Sequence, residues 1–74
     1  MKVDLYIDAT GLVCPLPVLK FKRECKQLSK GQVVHVRTTD PDSVNDFNAY
    51  SELKGMQILQ NEKNEQGFEF LIQL

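Results

Sequence analysis

Two prolines one residue apart limit this chain more than any other feature. Pro15 and Pro17 stand in the run Gly11-Leu12-Val13-Cys14-Pro15-Leu16-Pro17. Proline lacks the N–H that a sheet ladder or a helix interior needs, so the pair fits only the first turn of a helix, where N–H groups have no intrahelical partner. The residues before them then form the loop into that helix, and Cys14 is the N-cap or its close neighbour. The positive end of the helix dipole favours an anion, so a thiol of lowered pKa is expected at Cys14. Gly11 gives the loop its turn, and Pro15 and Pro17 fix the sulfur in an exposed position. The bland alternative is a cysteine that only caps a helix, but Ser, Thr, Asp and Asn are the usual caps.

The pattern on either side supports this placement. Val3, Leu5 and Ile7 alternate with Asp4, Tyr6 and Asp8, the period of a half-buried strand. From Pro15 to about Ser29 the period becomes helical, with Val18, Phe21, Cys25 and Leu28 on one stripe and Gly31 as the stop. Gln32 to Thr38 carries Val33, Val34 and Val36 and reads as a buried strand. Asp40-Pro41-Asp42 starts a second helix, whose stripe is Val44, Phe47 and Tyr50 and whose end is Gly55. Met56 to Asn61 and Phe68 to Gln73 read as strands joined by a polar turn over Glu62 to Gly67. The order β-α-β-α-β-β predicts a two-layer α/β (α+β) sandwich. Its first two strands are parallel, its last two antiparallel, and two helices cover one face of a four-stranded mixed sheet. Tyr6, Leu59 and Leu71 run out of phase with the core positions and are expected on the open face.

The chain has 74 residues, enough for a single domain over 1–74 with little room for a deep cavity. Its formal net charge of −1 argues against a general nucleic-acid binder. No apolar run approaches the roughly 20 residues of a membrane span. The start, Met1-Lys2-Val3-Asp4, leads straight into a strand pattern, so no signal peptide is expected and the cytoplasm is the expected location.

Cys14 and Cys25 are the two cysteines. A helix between them separates their Cα atoms by roughly 16 Å, whereas a disulfide needs about 7 Å or less. No intramolecular bridge is therefore expected. His35 stands alone, so no metal site is expected either. Cys25 falls on the core stripe and reads as a small buried apolar residue. Lys20, Arg23, Lys26 and Lys30 lie on the outer face of the first helix, either as an ordinary solvated face or as a docking surface for an acidic partner. Leu16 and Leu19 fall on that outer side too, beside Cys14, where exposed apolar groups suit a transient protein contact. Leu16, Leu19, Lys20 and Arg23 are thus candidate docking residues. Asp40, Asp42 and Asp46 read as acids at a helix start.

Asp8, Gly11-Leu12, Cys14-Pro15-Leu16-Pro17, Lys22, Gly31, Asp40-Pro41, Asp46 and Gly55 occur in an order and spacing that resemble the TusA-like (SirA-like) sulfur carriers. The resemblance covers nearly the whole chain. It implies a small two-layer protein whose motif cysteine, here Cys14, accepts sulfur as a persulfide and hands it on without a cofactor. It implies a sulfur-donor protein such as a cysteine desulfurase or a rhodanese, and a downstream acceptor protein. Thiolation of transfer RNA is the best-known destination; sulfur oxidation, thiosulfate uptake and selenium traffic are others. Val13 stands where many family sequences place a basic residue. Two other functions compete. A non-catalytic RNA-binding or regulatory module would draw on the basic helix face, but lacks a basic excess and aromatic stacking positions. A thiol redox protein would need a nearby resolving cysteine.

Overall fold

A computed structural model describes residues 2–74; Met1, where the expected domain over 1–74 begins, lies outside the described residues. The elements follow in the expected order: β1 (Leu5–Ala9), α1 (Leu16–Glu24), β2 (Val33–Thr38), α2 (Asp42–Lys54), β3 (Gln57–Asn64) and β4 (Gly67–Gln73). β1 pairs parallel with β2, and β4 pairs antiparallel with both β2 and β3. The strand order in the four-stranded sheet is β1-β2-β4-β3, so the last strand enters the middle. Phe21 of α1 and Phe47 of α2 pack on the same side, against Ile7, Val34, Val36, Phe70 and Ile72. This is the two-layer sandwich expected from the pattern. Phe47 is its centre: its ring meets Phe21 edge-on at 5.5 Å and lies tilted over Phe70 at 5.1 Å.

Three local features differ from the sequence expectation. The first helix is shorter. It ends at Glu24 and tightens into a single 3₁₀ turn over Cys25–Gln27, after which Leu28 is extended. The Ser29 N–H donates to Gln32 Oε1 at 2.7 Å, so a side-chain-closed turn stops the helix before Gly31. The buried ridge of α2 is Ser43, Phe47 and Ser51, while Val44 and Tyr50 flank it half-buried. Two serines four residues either side of Phe47 hide the core face from a hydrophobicity pattern. Finally, the β3–β4 connection is a tight turn at Glu65-Gln66 rather than a loop from Glu62, because β3 runs on to Asn64.

The open face carries Tyr6, His35, Leu71 and Gln60 in one register row across the sheet. Tyr6 is 47 % exposed, and the half-buried Leu59 sits at the irregularity between Ile58 and Gln60. That extra residue keeps Ile58 opposite the core residue Ile72 and Gln60 opposite Leu71. His35 has a structural environment: its Nε2 lies 2.9 Å from Glu69 Oε1, and its ring meets Tyr6 edge-on at 5.0 Å. Among the described residues, no helix is long and apolar enough to cross a membrane.

Candidate functional site

Parallel pairing determines where the site lies. Ala9 and Thr38 are register partners at the C-terminal ends of β1 and β2, so the loops into α1 and α2 leave the sheet side by side. Three hydrogen bonds tie the first loop to the second loop and to α2. The Gly11 N–H donates to Thr39 Oγ1 at 2.9 Å, the Cys14 N–H donates to Asp40 Oδ2 at 2.5 Å, and the Cys14 thiol donates to Asp46 Oδ2. Gly11 has φ +78, a left-handed conformation that glycine adopts without steric cost. Gly67 fits against the same end: a Cβ there would lie 2.4 Å from the Thr38 carbonyl oxygen.

Asp40 is the hinge of this junction. Its Oδ1 accepts the Asp42 N–H at 3.1 Å, which opens α2, and its Oδ2 holds the Cys14 backbone. The Ser43 hydroxyl donates to the Asp40 carbonyl at 2.6 Å and lies 3.1 Å from Thr38 Oγ1, fixing the loop onto the core. One carboxylate thus ties the second helix start to the first.

At the proline corner Cys14 is the close neighbour of the helix cap and not the cap itself. Pro15 occupies the N-cap of α1, and Cys14 lies one residue outside the helix, joined to Pro15 by a cis peptide bond. Pro17 is buried in the first turn, as its missing N–H allows. Cys14 is exposed and makes no disulfide, and the two carboxylates bonded to it, Asp40 and Asp46, are half-buried.

The expected lowering of the Cys14 pKa is overturned. The thiol is pushed up to about 11, first by its hydrogen bond to Asp46, then by desolvation and by the charges of Asp46, Asp40 and Asp42. The helix start does little to oppose them. Pro15 and Pro17 have no N–H, and the Leu16 N–H is spent on the Val13 carbonyl at 2.8 Å. Like-signed charge therefore outweighs the dipole at this position. The acids read as helix-start residues are also the electrostatic environment of Cys14.

The candidate docking residues come together beside it. Leu12, Leu16, Leu19, Lys20 and Arg23 line one groove of about 410 Å³. Leu16 is 46 % exposed and Leu19 52 %, so both present apolar surface. Lys20 is less available than the pattern implies: its Nζ donates to the Asp8 carbonyl at 2.8 Å and lies 3.9 Å from Glu24. Asp8 in turn accepts from the Thr10 N–H and hydroxyl, and these bonds hold its carboxyl below the usual range.

Comparison with known proteins assigns the chain to a family. The family described as sulfurtransferase TusA matches residues 5–74. The sulfur carrier protein TusA of Allochromatium vinosum is 44 % identical over 69 residues, covering 93 % of this chain and 91 % of that protein. The chain belongs to the TusA family. The TusA of Pseudomonas putida is 33 % identical over 61 residues, covering 82 % of this chain and 76 % of its own. The crystal structure of a SirA-like protein from Desulfitobacterium hafniense superposes with a TM-score of 0.77 at 28 % identity, covering 93 % of each chain.

Within this family member, sequence reasoning placed Cys14, Gly11, Pro15 and Pro17 at one corner and missed the thiol's partner. Asp46 is 32 residues from Cys14 and on another helix. No spacing rule links them. The available signal was Asp46 among the residues that carry the family resemblance, since a helix-start role does not explain an acid in the second turn of α2.

Proposed function

We propose that residues 1–74 act as a single sulfur-carrier domain, in which Cys14 accepts sulfur as a persulfide and passes it to an acceptor protein. Membership of the TusA family makes a sulfur carrier the expected role. The observation that carries the assignment to Cys14 is its position: an exposed sulfur in the Cys-Pro-Leu-Pro corner, outside the helix and open to a partner. Acceptance is one exchange. The Cys14 thiolate attacks the outer sulfur of a donor persulfide, forms a new S–S bond and releases the donor thiolate. Delivery is the same exchange in reverse sense: an acceptor thiolate takes the outer sulfur and Cys14 leaves as thiolate. No net oxidation occurs in either step, so neither calls for a cofactor.

The donor is a persulfide-bearing protein such as a cysteine desulfurase or a rhodanese, and the acceptor serves transfer-RNA thiolation or related sulfur traffic. Leu16 and Leu19, with Arg23 and Lys20 at the same groove, form the contact surface for these partners. A reducing cytoplasm suits a carrier whose working group is a free thiol. The RNA-binding or regulatory alternative draws no support from a corner lined by carboxylates.

Intact-protein mass spectrometry tests the reading, after incubation with a cysteine desulfurase and cysteine or with a rhodanese and thiosulfate. One added sulfur mass is expected, removed by reductant and absent in Cys14→Ser; Leu16→Glu is expected to load several-fold more slowly. Equal loading of Cys14→Ser would overturn the assignment.

A further inference from the structure

The corner poses a problem for the exchange just described: the attacking species is a thiolate, yet every strong influence on Cys14 holds its proton in place. Asp46 Oδ2 accepts the Sγ–H, and Asp40 Oδ2 accepts the backbone N–H of the same residue. The charges that act on Cys14 most strongly are the three carboxylates Asp46, Asp40 and Asp42, from α2 and the loop before it. From the α1 side, Lys20 is turned away to the Asp8 carbonyl and Glu24. The groove residues next to Cys14 on α1 are the apolar Leu16 and Leu19.

We infer that this acidic collar keeps the empty carrier's thiol unreactive until a donor protein presents a lysine or arginine side chain to Asp40, Asp42 and Asp46. Charge complementarity specifies the partner's chemistry: the surface that meets the collar is cationic, and the one that meets Leu16 and Leu19 is apolar. A cation placed at the collar offsets the carboxylate field, the Sγ proton passes to solvent, and the thiolate attacks the outer sulfur, releasing the donor thiolate. The loaded state is released from the lock by its own chemistry. Once Sγ is bonded to the transferred sulfur it carries no hydrogen, so it cannot donate to Asp46. The collar therefore distinguishes empty from loaded carrier, and protects the resting thiol from adventitious oxidants. This rests on the reading of Cys14 as the carrier cysteine.

Two measurements test it, and neither involves sulfur transfer. The first is the rate of Cys14 labelling by iodoacetamide against pH, in the unaltered protein and in Asp46→Asn, which keeps a hydrogen-bond acceptor and removes the charge. The midpoint is expected to fall by about one pH unit in the variant. At pH 8 labelling should be about threefold faster, because tenfold more thiolate is offset by lower nucleophilicity of each. The second uses the unaltered protein, so it does not depend on the variant folding. Cys14 exchanges with cystamine, a dicationic disulfide, or with dithiodipropionate, a dianionic one; in each case Cys14–S⁻ forms a mixed disulfide and releases one small thiolate. Cystamine also has the better leaving thiolate, so the rate ratio of the two disulfides is taken against the same ratio for 2-mercaptoethanol. At low salt the ratio at Cys14 is expected to exceed that reference at least about tenfold, and the excess to shrink as salt rises. A ratio equal to the reference, or an unchanged or raised midpoint in Asp46→Asn, would overturn the proposal. Failure of sulfur loading with these results intact would instead remove the carrier reading and leave the collar standing.

Discussion

The two cysteines of this chain hold their protons to the same height for different reasons. Cys14 is exposed, and Cys25, at the other end of α1, is half-buried. Each thiol is pushed up to about 11. At Cys14 the leading cause is the hydrogen bond to Asp46, with desolvation and three carboxylate charges behind it. At Cys25 it is burial, with the Glu24 charge second. The surroundings differ in sign as well. Cys25 lines a groove of about 540 Å³ with Phe21, Leu28, Tyr50, Met56 and Leu74, and with Lys22, Lys26, Lys30 and Lys54. Two thiols of equal pKa can therefore respond to different switches. A charge-held proton is released by a neighbouring ion or a substitution at the surface. A burial-held proton is released only when the fold opens.

The two environments merge when the core that separates them is removed. Phe47→Ala deletes the ring that joins Phe21 to Phe70. A buried Phe→Ala change costs about 3–5 kcal/mol, as much as a core of this size supplies. The chain is expected to lose its cooperative thermal transition and to label at both cysteines at one rate. A retained transition with Cys25 still slow would place the core elsewhere. A smaller change sets the two cysteines further apart. Ser51 Oγ is buried without a hydrogen-bond partner among the described residues, and a buried unsatisfied hydroxyl costs about 1 kcal/mol or more. Ser51→Ala is expected to raise stability by ~1 kcal/mol in denaturant unfolding. It should slow labelling of Cys25 and leave Cys14 as it was. A loss of stability would mean that the hydroxyl has a partner in the folded state.

Much of this architecture is legible in the order of residues. The alternation through Leu5 and Ile7, the valines of β2 and the prolines at Pro15 and Pro17 each have one physical solution, and the solutions agree. What escaped detection is of two kinds. Ser43 and Ser51 are polar residues on a core face, so the period of α2 is faint although the helix is firmly seated. Asp46 meets Cys14 only because two parallel strands end at the same level, a fact of pairing and not of spacing. The helix dipole at Cys14 is overridden for the same reason: the carboxylates brought by the next helix outweigh the charge of the cysteine's own.

The most direct test of the charge-held thiol is the rate of iodoacetamide labelling at each cysteine, resolved by peptide mass spectrometry, at fixed pH 8 from low to high salt. The reagent is uncharged, so salt acts through the thiol alone. Raising salt from about 0.01 M to 1 M shrinks the Debye length from about 30 Å to 3 Å. Cys14 is predicted to label about two- to threefold faster across that range, while Cys25 changes little, because salt screens the carboxylate charges at Cys14 and does not relieve the desolvation that leads at Cys25. Parallel responses of the two cysteines, or a Cys14 rate indifferent to salt, would contradict the account.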